Sequence, residues 1–354
     1  MRRSPWPVIL LLVALAAYLS PRDAHSPVQF PFGVQPAPSL TDPLPQDARS
    51  LFNRVRPASV RIEQLSADGS GGLGSGFFIS SGGLLLTAYH VVDGAKTILV
   101  RTVSNQTFSA RVVGFDNAAD VALLQIGTRG TVPYLNLAPG SPQVGESVLA
   151  VGNSGGDFLQ PRRGRLLRLG AQAGRVDFPQ RTLEMNAPLA PGDSGGPIIN
   201  EQGQAIGVVS YIRVDDQNRT ITSYAVPVSA GEQLITELRA GVKRDVPAIG
   251  LYFQPDAQGA GAVSGGVVAS VVPGGPAARA GLQAAQTAQD GTLKRHGDVV
   301  VAVDGVRTRS ADDVMFEIRR RHIGDTVQLT VSRGGDERPV QLQLVAKGTL
   351  VYRQ

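Results

Sequence analysis

The chain has 354 residues, with 42 Gly, 24 Pro, no Cys, four His, 42% apolar residues and a formal charge of +5. This length suffices for two or three domains with real cores, and the apolar content excludes a disordered chain. The lack of Cys excludes a disulfide scaffold, a cysteine-ligated zinc site and a thiol nucleophile, and the mild charge, without a long Lys/Arg run, argues against nucleic acid as a partner.

Arg2 and Arg3 precede an apolar stretch from Pro5 to Leu19. A basic start followed by a short apolar segment reads as an export signal or a membrane anchor, residues 1–20. The stretch is shorter than the ~20 residues of a standard membrane span. No small-x-small cleavage site follows it. Residues 21–46 hold seven prolines and no hydrophobic period, which predicts an extended linker. An apolar segment isolated by such a linker has no core to join, so the chain is expected to work outside the cytoplasm.

Residues 47–230 read as one domain. Short strand-like runs occur at 60–64, 76–79, 84–87, 97–103, 121–126, 147–151, 197–199 and 205–209. Turn signals such as Ser81-Gly82-Gly83 and Asp93-Gly94 separate them. Regular short strands with no long helical pattern between them predict an all-β sandwich or barrel.

Three segments carry chemistry. They are Leu86-Thr87-Ala88-Tyr89-His90-Val91-Val92, then Asp116-Asn117-Ala118-Ala119-Asp120-Val121-Ala122-Leu123-Leu124, then Pro191-Gly192-Asp193-Ser194-Gly195-Gly196-Pro197. A serine hydroxyl is weakly reactive until an imidazole can take its proton. The imidazole needs a carboxylate to fix its tautomer. The developing oxyanion needs converging backbone N–H groups. Glycine before and after Ser194 allows such a turn. The segment Gly192-Asp193-Ser194 is the candidate oxyanion hole, with the N–H groups of Gly192 and Ser194 as donors. His90 is the domain's only histidine, since His25 lies in the linker and His296 and His322 lie near the C-terminus. Asp93, Asp116 and Asp120 compete as its partner. Asp93 begins a turn and Asp116 has a capping role as its simpler reading. Asp120 heads an apolar strand and is preferred. A second Gly-x-Ser-Gly-Gly string, Gly152-Asn153-Ser154-Gly155-Gly156, leads into an irregular, Arg-rich stretch and is read as a turn.

In these strings the sequence resembles the HtrA (DegP/DegS-like) serine proteases. Gly74-Ser75-Gly76-Phe77-Phe78-Ile79 and the His90 segment are similar to that family's first strands. The segment 116–124 is similar to its Asp-x-x-x-Asp-x-Ala-Leu-Leu string, which selects Asp120. Val148 to Asn153, similar to the family's Val-Leu-Ala-x-Gly-Asn segment, and the Ser194 segment also match. The resemblance covers residue 46 to the C-terminus. It departs at Asp193, where the family often has Asn, and at Met185-Asn186. The Arg-rich stretch 159–174 falls where the family has regulatory loops. The resemblance implies a chymotrypsin-like double β-barrel, a His90-Asp120-Ser194 triad, a homotrimer, and no cofactor or metal. It also places Pro188 at the base of the S1 pocket. Without a buried carboxylate there, a Lys or Arg side chain would be desolvated unpaired, so cleavage after small aliphatic residues is expected.

A connecting helix is predicted over 226–242, with Leu234, Ile235 and Leu238 on one stripe. Residues 248–347 then resemble a PDZ domain, with a short tail at 348–354. Pro276 and Gly281 bracket a short helix. Ser310-Ala311-Asp312-Asp313 resembles a capping box, and 327–331 and 340–344 alternate as a hairpin. The resemblance implies a carboxylate-binding loop at Ile249, Gly250 and Leu251, with Val314 and Ile318 lining a side-chain pocket for peptide C-termini. The whole chain therefore reads as an ATP-independent envelope endopeptidase acting on unfolded or misfolded protein. The alternative is a chaperone or peptide-binding protein with an idle triad.

Overall fold

The computed structural model describes residues 44–350, apart from 67–69, 155–156, 173–177, 216, 218, 255–263, 288–292 and 296. The export or anchor segment and most of the Pro-rich linker lie outside the described residues. Among the described residues, no helix is long and apolar enough to cross a membrane. The chain divides into two compact units that meet in sequence at Lys243 and Arg244.

The first unit is mostly β and built of two closed six-stranded barrels, the chymotrypsin-like arrangement. Strands β1 (Ser59–Ser66), β2 (Gly71–Phe78), β3 (Leu84–Thr87), β4 (Ala95–Arg101), β5 (Thr107–Asp116) and β6 (Val121–Ile126) form the first barrel, in the order β5-β4-β1-β2-β3-β6 and closed by β5–β6. Alternation drives this sheet: Val60 and Ile62 point inward from β1 with no exposed surface. Leu85 and Leu86 are both fully buried, because β3 is covered on both faces. The second barrel joins β7 (Ser147–Gly152), β8 (Gln160–Ala171), β9 (Thr182–Met185), β10 (Pro197–Ile199), β11 (Ala205–Val214) and β12 (Thr220–Pro227). Its core holds Leu166, Leu183, Met185, Ile198 and Ile206.

Two expectations are corrected here. The Arg-rich stretch expected to be irregular is instead the 12-residue strand β8, which pairs with β7 over residues 160–165 and with β9 from Leu166 to Ala171. Its arginines sit on positions that are partly or fully exposed, so no apolar alternation announced it. The helix expected over 226–242 is the seven-residue helix Gln233–Arg239. Val226 and Pro227 belong to β12 instead. Ile235 and Leu238 still form its buried stripe, against the first barrel.

The second unit is the PDZ domain. Its sheet runs in the order Leu251–Phe253, Gly266–Val271, Val299–Val303, Thr326–Arg333, Asp336–Gln343. The helix Ala311–Arg319 packs on it, and its N-cap Ser310 accepts the Asp313 N–H through its hydroxyl at 3.1 Å. Asp304-Gly305, both with positive φ, make the two-residue turn between Val303 and Val306. Val268, Val300, Val314, Ile318, Leu329 and Val331 are the centre of the core. The segment 283–295 carries the short pair Gln286–Thr287 and Leu293–Arg295.

Candidate active site

His90 lies in the single helical turn Tyr89–Val92, entered directly from the end of β3. Asp120 heads β6, the neighbour of β3 in the sheet. The two chain ends are stitched together where the Tyr89 N–H donates to the Asp120 carbonyl at 3.2 Å. Asp120 has φ +54°, a left-handed conformation unusual for a residue with a side chain. That geometry turns its carboxylate back under the imidazole.

The carboxylate is engaged at every face. His90 Nδ1 lies 2.9 Å from Asp120 Oδ2 and 3.0 Å from Oδ1. The His90 backbone N–H donates to Oδ1 at 3.0 Å. The Ser210 hydroxyl donates to Oδ2 at 2.5 Å. Burial alone would push this carboxyl up. The charge of His90, its hydrogen bond and that of Ser210 outweigh burial and hold Asp120 below its ordinary value. It is therefore ionised at neutral pH and can only accept. His90 Nδ1 must then carry the proton, which makes Nε2 the accepting nitrogen of the ring. The His90 side chain is 48% exposed while that of Asp120 is 12% exposed, so the base faces solvent and its partner does not.

Ser194 is carried to this turn by the β10–β11 side of the second barrel. Its carbonyl accepts the Ser75 N–H from β2 at 2.8 Å. The Gly195 N–H donates to Val209 O at 2.7 Å, next to Ser210 on β11. Gly195 has φ +84°, and a Cβ there would meet Ser75 O and Thr87 Oγ1 at 2.2 Å. Only glycine fits this approach of the second barrel to the His90 segment. Gly192 also has positive φ, +104°. Among the described residues, neither the Gly192 N–H nor the Ser194 N–H is engaged by another group. The Asp193 N–H is engaged: it donates to Ala190 O at 3.0 Å. The structure thus brings His90, Asp120, Gly192, Asp193 and Ser194 to one junction of the two barrels.

The other candidate residues lie as follows. Asp116 caps its turn by accepting the Ala119 N–H at 2.8 Å. Ser154 sits at the end of β7, 1% exposed, with its hydroxyl accepting from Arg162 at 2.9 Å. Pro188 is half-buried between the buried Ala187 and Leu189. The nearby carbonyls of Leu189 and Ala187 accept the hydroxyls of Thr220 and Ser223. In the PDZ unit, Gly250 has φ +77°, and its carbonyl accepts the Val272 N–H at 2.9 Å. Among the described residues, the strand Leu251–Phe253 is the first in the order of its sheet. Val314 and Ile318 have no exposed surface and lie in the core, with Val314 beside Gly266 and Phe253.

Sequence reasoning missed Ser210, Ser75 and Asn153. Ser210 and Asp120 are 90 positions apart and meet only when the barrels join. The one signal available was a polar residue closing the apolar run 205–209 of β11.

A model of the trypsin-like peptidase domain matches residues 74–208, and a PDZ domain model matches 247–344. The putative serine protease HhoA of Synechocystis is 31% identical over 316 residues, covering 84% of this chain and 74% of the relative. The chain belongs to the HtrA-type family of serine proteases. A DegP-like probable periplasmic serine endoprotease of Halomonas elongata is 33% identical over 278 residues, 76% of this chain and 55% of that one. The chain spans about three quarters of HhoA and just over half of the Halomonas relative. Among solved structures, the HtrA-type protease AlgW with a tripeptide has a TM-score of 0.50 at 24% identity, over 85% of this chain and 97% of that chain. That likeness concerns the fold.

Proposed function

We propose that this chain is an extracytoplasmic serine endopeptidase that cuts unfolded or misfolded polypeptide, with Ser194 as nucleophile, His90 as general base and Asp120 as its orienting carboxylate. The observation that carries the reading is the Asp120 carboxylate, buried and ionised, taking Nδ1–H of an exposed His90 beside the Ser194 turn.

The reaction follows from these positions. His90 Nε2 takes the Ser194 proton as Oγ attacks the scissile carbonyl. The ionised Asp120 stabilises the resulting imidazolium. The free N–H groups of Gly192 and Ser194 receive the oxyanion. The imidazolium then protonates the leaving amine, and the same steps with water release the acyl group. Pro188, an uncharged residue, supports an S1 pocket for Val, Ala or Ile.

In the PDZ unit, the backbone of Ile249, Gly250 and Leu251 is proposed to hold a peptide C-terminal carboxylate. The strand Leu251–Phe253 would pair with the extended peptide. Val314 and Ile318, both fully buried, would act as the packed base beneath that groove. The likeness to DegP-like relatives named as periplasmic supports export through the N-terminal segment, which would serve as signal or anchor. A homotrimer assembled through the protease units is part of the same proposal.

The test is hydrolysis of an unfolded protein such as reduced, alkylated casein, with and without a peptide bearing a free C-terminus. Cleavage after small aliphatic residues, abolished in Ser194→Ala, supports the reading. Peptide binding without any cleavage would favour the idle-triad chaperone instead. Strict Arg/Lys preference would refute the S1 assignment.

A further inference from the structure

The second Gly-x-Ser string, Gly152-Asn153-Ser154, has no part in the triad, yet its side chains and backbone reach the Ser194 turn from two sides. On one side, Asn153 is fully buried and its Nδ2 donates to the Ser75 hydroxyl at 2.8 Å. Asn153 Oδ1 in turn accepts the Leu159 N–H at 3.1 Å, which fixes the orientation of the amide. With one lone pair so occupied, the Ser75 hydroxyl donates its proton to the Gly192 carbonyl at 2.7 Å. On the other side, the Ser154 N–H donates to Asp193 Oδ1 at 3.0 Å, and Asp193 Oδ2 accepts the Ala190 N–H at 3.0 Å. Asp193 is 1% exposed.

These bonds fix the backbone rather than any side chain that touches substrate. The peptide plane between Gly192 and Asp193 is held at both ends, its carbonyl by Ser75 and its N–H by Ala190 O. The next plane is held by the Gly196 N–H on Asp193 O at 2.9 Å, which leaves the Ser194 N–H pointing the opposite way. Asn153 O lies against Gly192, where an added Cβ would meet it at 2.7 Å, so a residue with a side chain does not fit there. The locked planes aim the Ser194 N–H before substrate arrives, and they anchor Gly192, whose own N–H belongs to the preceding plane, from its carbonyl side. Oxyanion stabilisation depends on such preorganised donors.

We propose that Ser75 and Asp193 are positioning residues that lock the oxyanion turn onto the Asn153-Ser154 end of β7. The inference rests on the reading of Ser194 as nucleophile and of Gly192 and Ser194 as oxyanion donors. The lock is built from three sequence-distant pieces: β2, the end of β7 and the turn from Ala190 to Ser194. Ser75 serves it twice, because its backbone N–H holds Ser194 O while its hydroxyl holds Gly192 O. The hydroxyl itself joins Asn153 at the end of β7 to Gly192 in the turn.

The experiment uses the full chain and the variants Ser75→Ala, Ser75→Cys, Asp193→Ala and Asp193→Asn. Three quantities are read: kcat and KM on a peptide cleaved by the wild type, the rate of fluorophosphonate labelling, and the thermal midpoint of the protease unit. Deleting an oxyanion donor outright costs ~10²–10³ in kcat, so misaiming the donors should cost about 10- to 100-fold. The expected result is that loss in kcat and in labelling rate for Ser75→Ala and Asp193→Ala, with KM within about twofold. Ser75→Cys, which keeps a weak donor, and Asp193→Asn, which keeps one acceptor, should recover part of the rate. Should an alanine variant fail to fold, the conservative pair carries the test. Unchanged kcat and labelling in folded variants overturns the lock while leaving the protease reading intact. Loss of kcat only in step with lost thermal stability, without recovery in the conservative variants, also overturns it. A wild-type chain that neither cleaves nor labels overturns the protease reading itself, and the lock falls with it.

Discussion

Replacing Asp120 by Asn tests the electrostatic arrangement of the site most sharply, because size is kept and only the acceptor pattern changes. The native carboxylate receives three donors: the His90 N–H, His90 Nδ1–H and the Ser210 hydroxyl. An asparagine offers one acceptor oxygen and an NH₂ group. If its oxygen stays on the His90 backbone N–H, the NH₂ faces Nδ1 and Ser210. Nδ1 must then accept, which moves the imidazole proton to Nε2. That tautomer cannot take the Ser194 proton. The expected loss in kcat is about 10⁴, the magnitude typical of a tautomer fault in this constellation. KM should change little, since no substrate contact is removed. The assay is peptide hydrolysis near neutral pH alongside a thermal melt, to confirm that the variant is folded. A folded Asp120→Asn chain retaining more than about a tenth of wild-type kcat would refute the reasoning, since a wrong tautomer leaves only the far smaller residual rate.

Other predictions follow from the same geometry. Ser210→Ala removes one donor from the buried Asp120 carboxylate and should lower kcat by about 10-fold, in keeping with the ~1.5–3 kcal/mol of a hydrogen bond to a charged group; steady-state kinetics check this. Asp193 is held above its ordinary pKa, mainly by burial, with the Ala190 and Ser154 hydrogen bonds and Arg162 offsetting part of it. A raised folded pKa means the folded chain binds the extra proton first, so this group's contribution to stability is fully present below the unfolded value and lost as pH rises through the folded one. The thermal midpoint of wild type relative to Asp193→Asn should therefore improve as pH falls towards 4, and the opposite trend would contradict it. Asp120, whose folded pKa is lowered, has the opposite sign: its contribution is present above the ordinary carboxylate pKa and is lost as pH falls through the lowered value. Wild type relative to Asp120→Asn should lose midpoint in strong acid. In the PDZ unit, Arg333 donates twice to the buried Asp298 at 2.7 and 2.8 Å. Arg333→Ala should destabilise that unit by about 1.5–3 kcal/mol, read by denaturant melting of the full chain.

What was legible in the sequence was local. His90, Asp120 and Ser194 each sit in a string of a few residues whose neighbours state the geometry: a strand end, a strand head, a glycine-flanked turn. The inward positions of β1 and β6 were legible for the same reason, as runs of Val, Ile and Leu. β8 was not. Its partners β7 and β9 bury only Gly164, Leu166 and Ala171 fully, and its arginines lie on partly or fully exposed positions. The strand is specified by pairing, not by its own pattern. The helix stripe Leu234, Ile235 and Leu238 was legible, yet its start was misplaced because 226–227 read equally well as strand and as helix. Ser75, Asn153 and Ser210 are polar residues whose roles exist only through partners 78 to 117 positions away. No local pattern encodes such a meeting. Ser154 also meets Asp193 through its backbone N–H, a contact invisible to any reading of side chains.

The most direct test of the central claim is to treat the folded chain with a fluorophosphonate and locate the adduct by mass spectrometry. The account predicts one phosphonylated residue, Ser194, with labelling lost in Ser194→Ala and strongly slowed in His90→Ala. Absence of an adduct on the folded wild-type chain, or an adduct on Ser154, would contradict it.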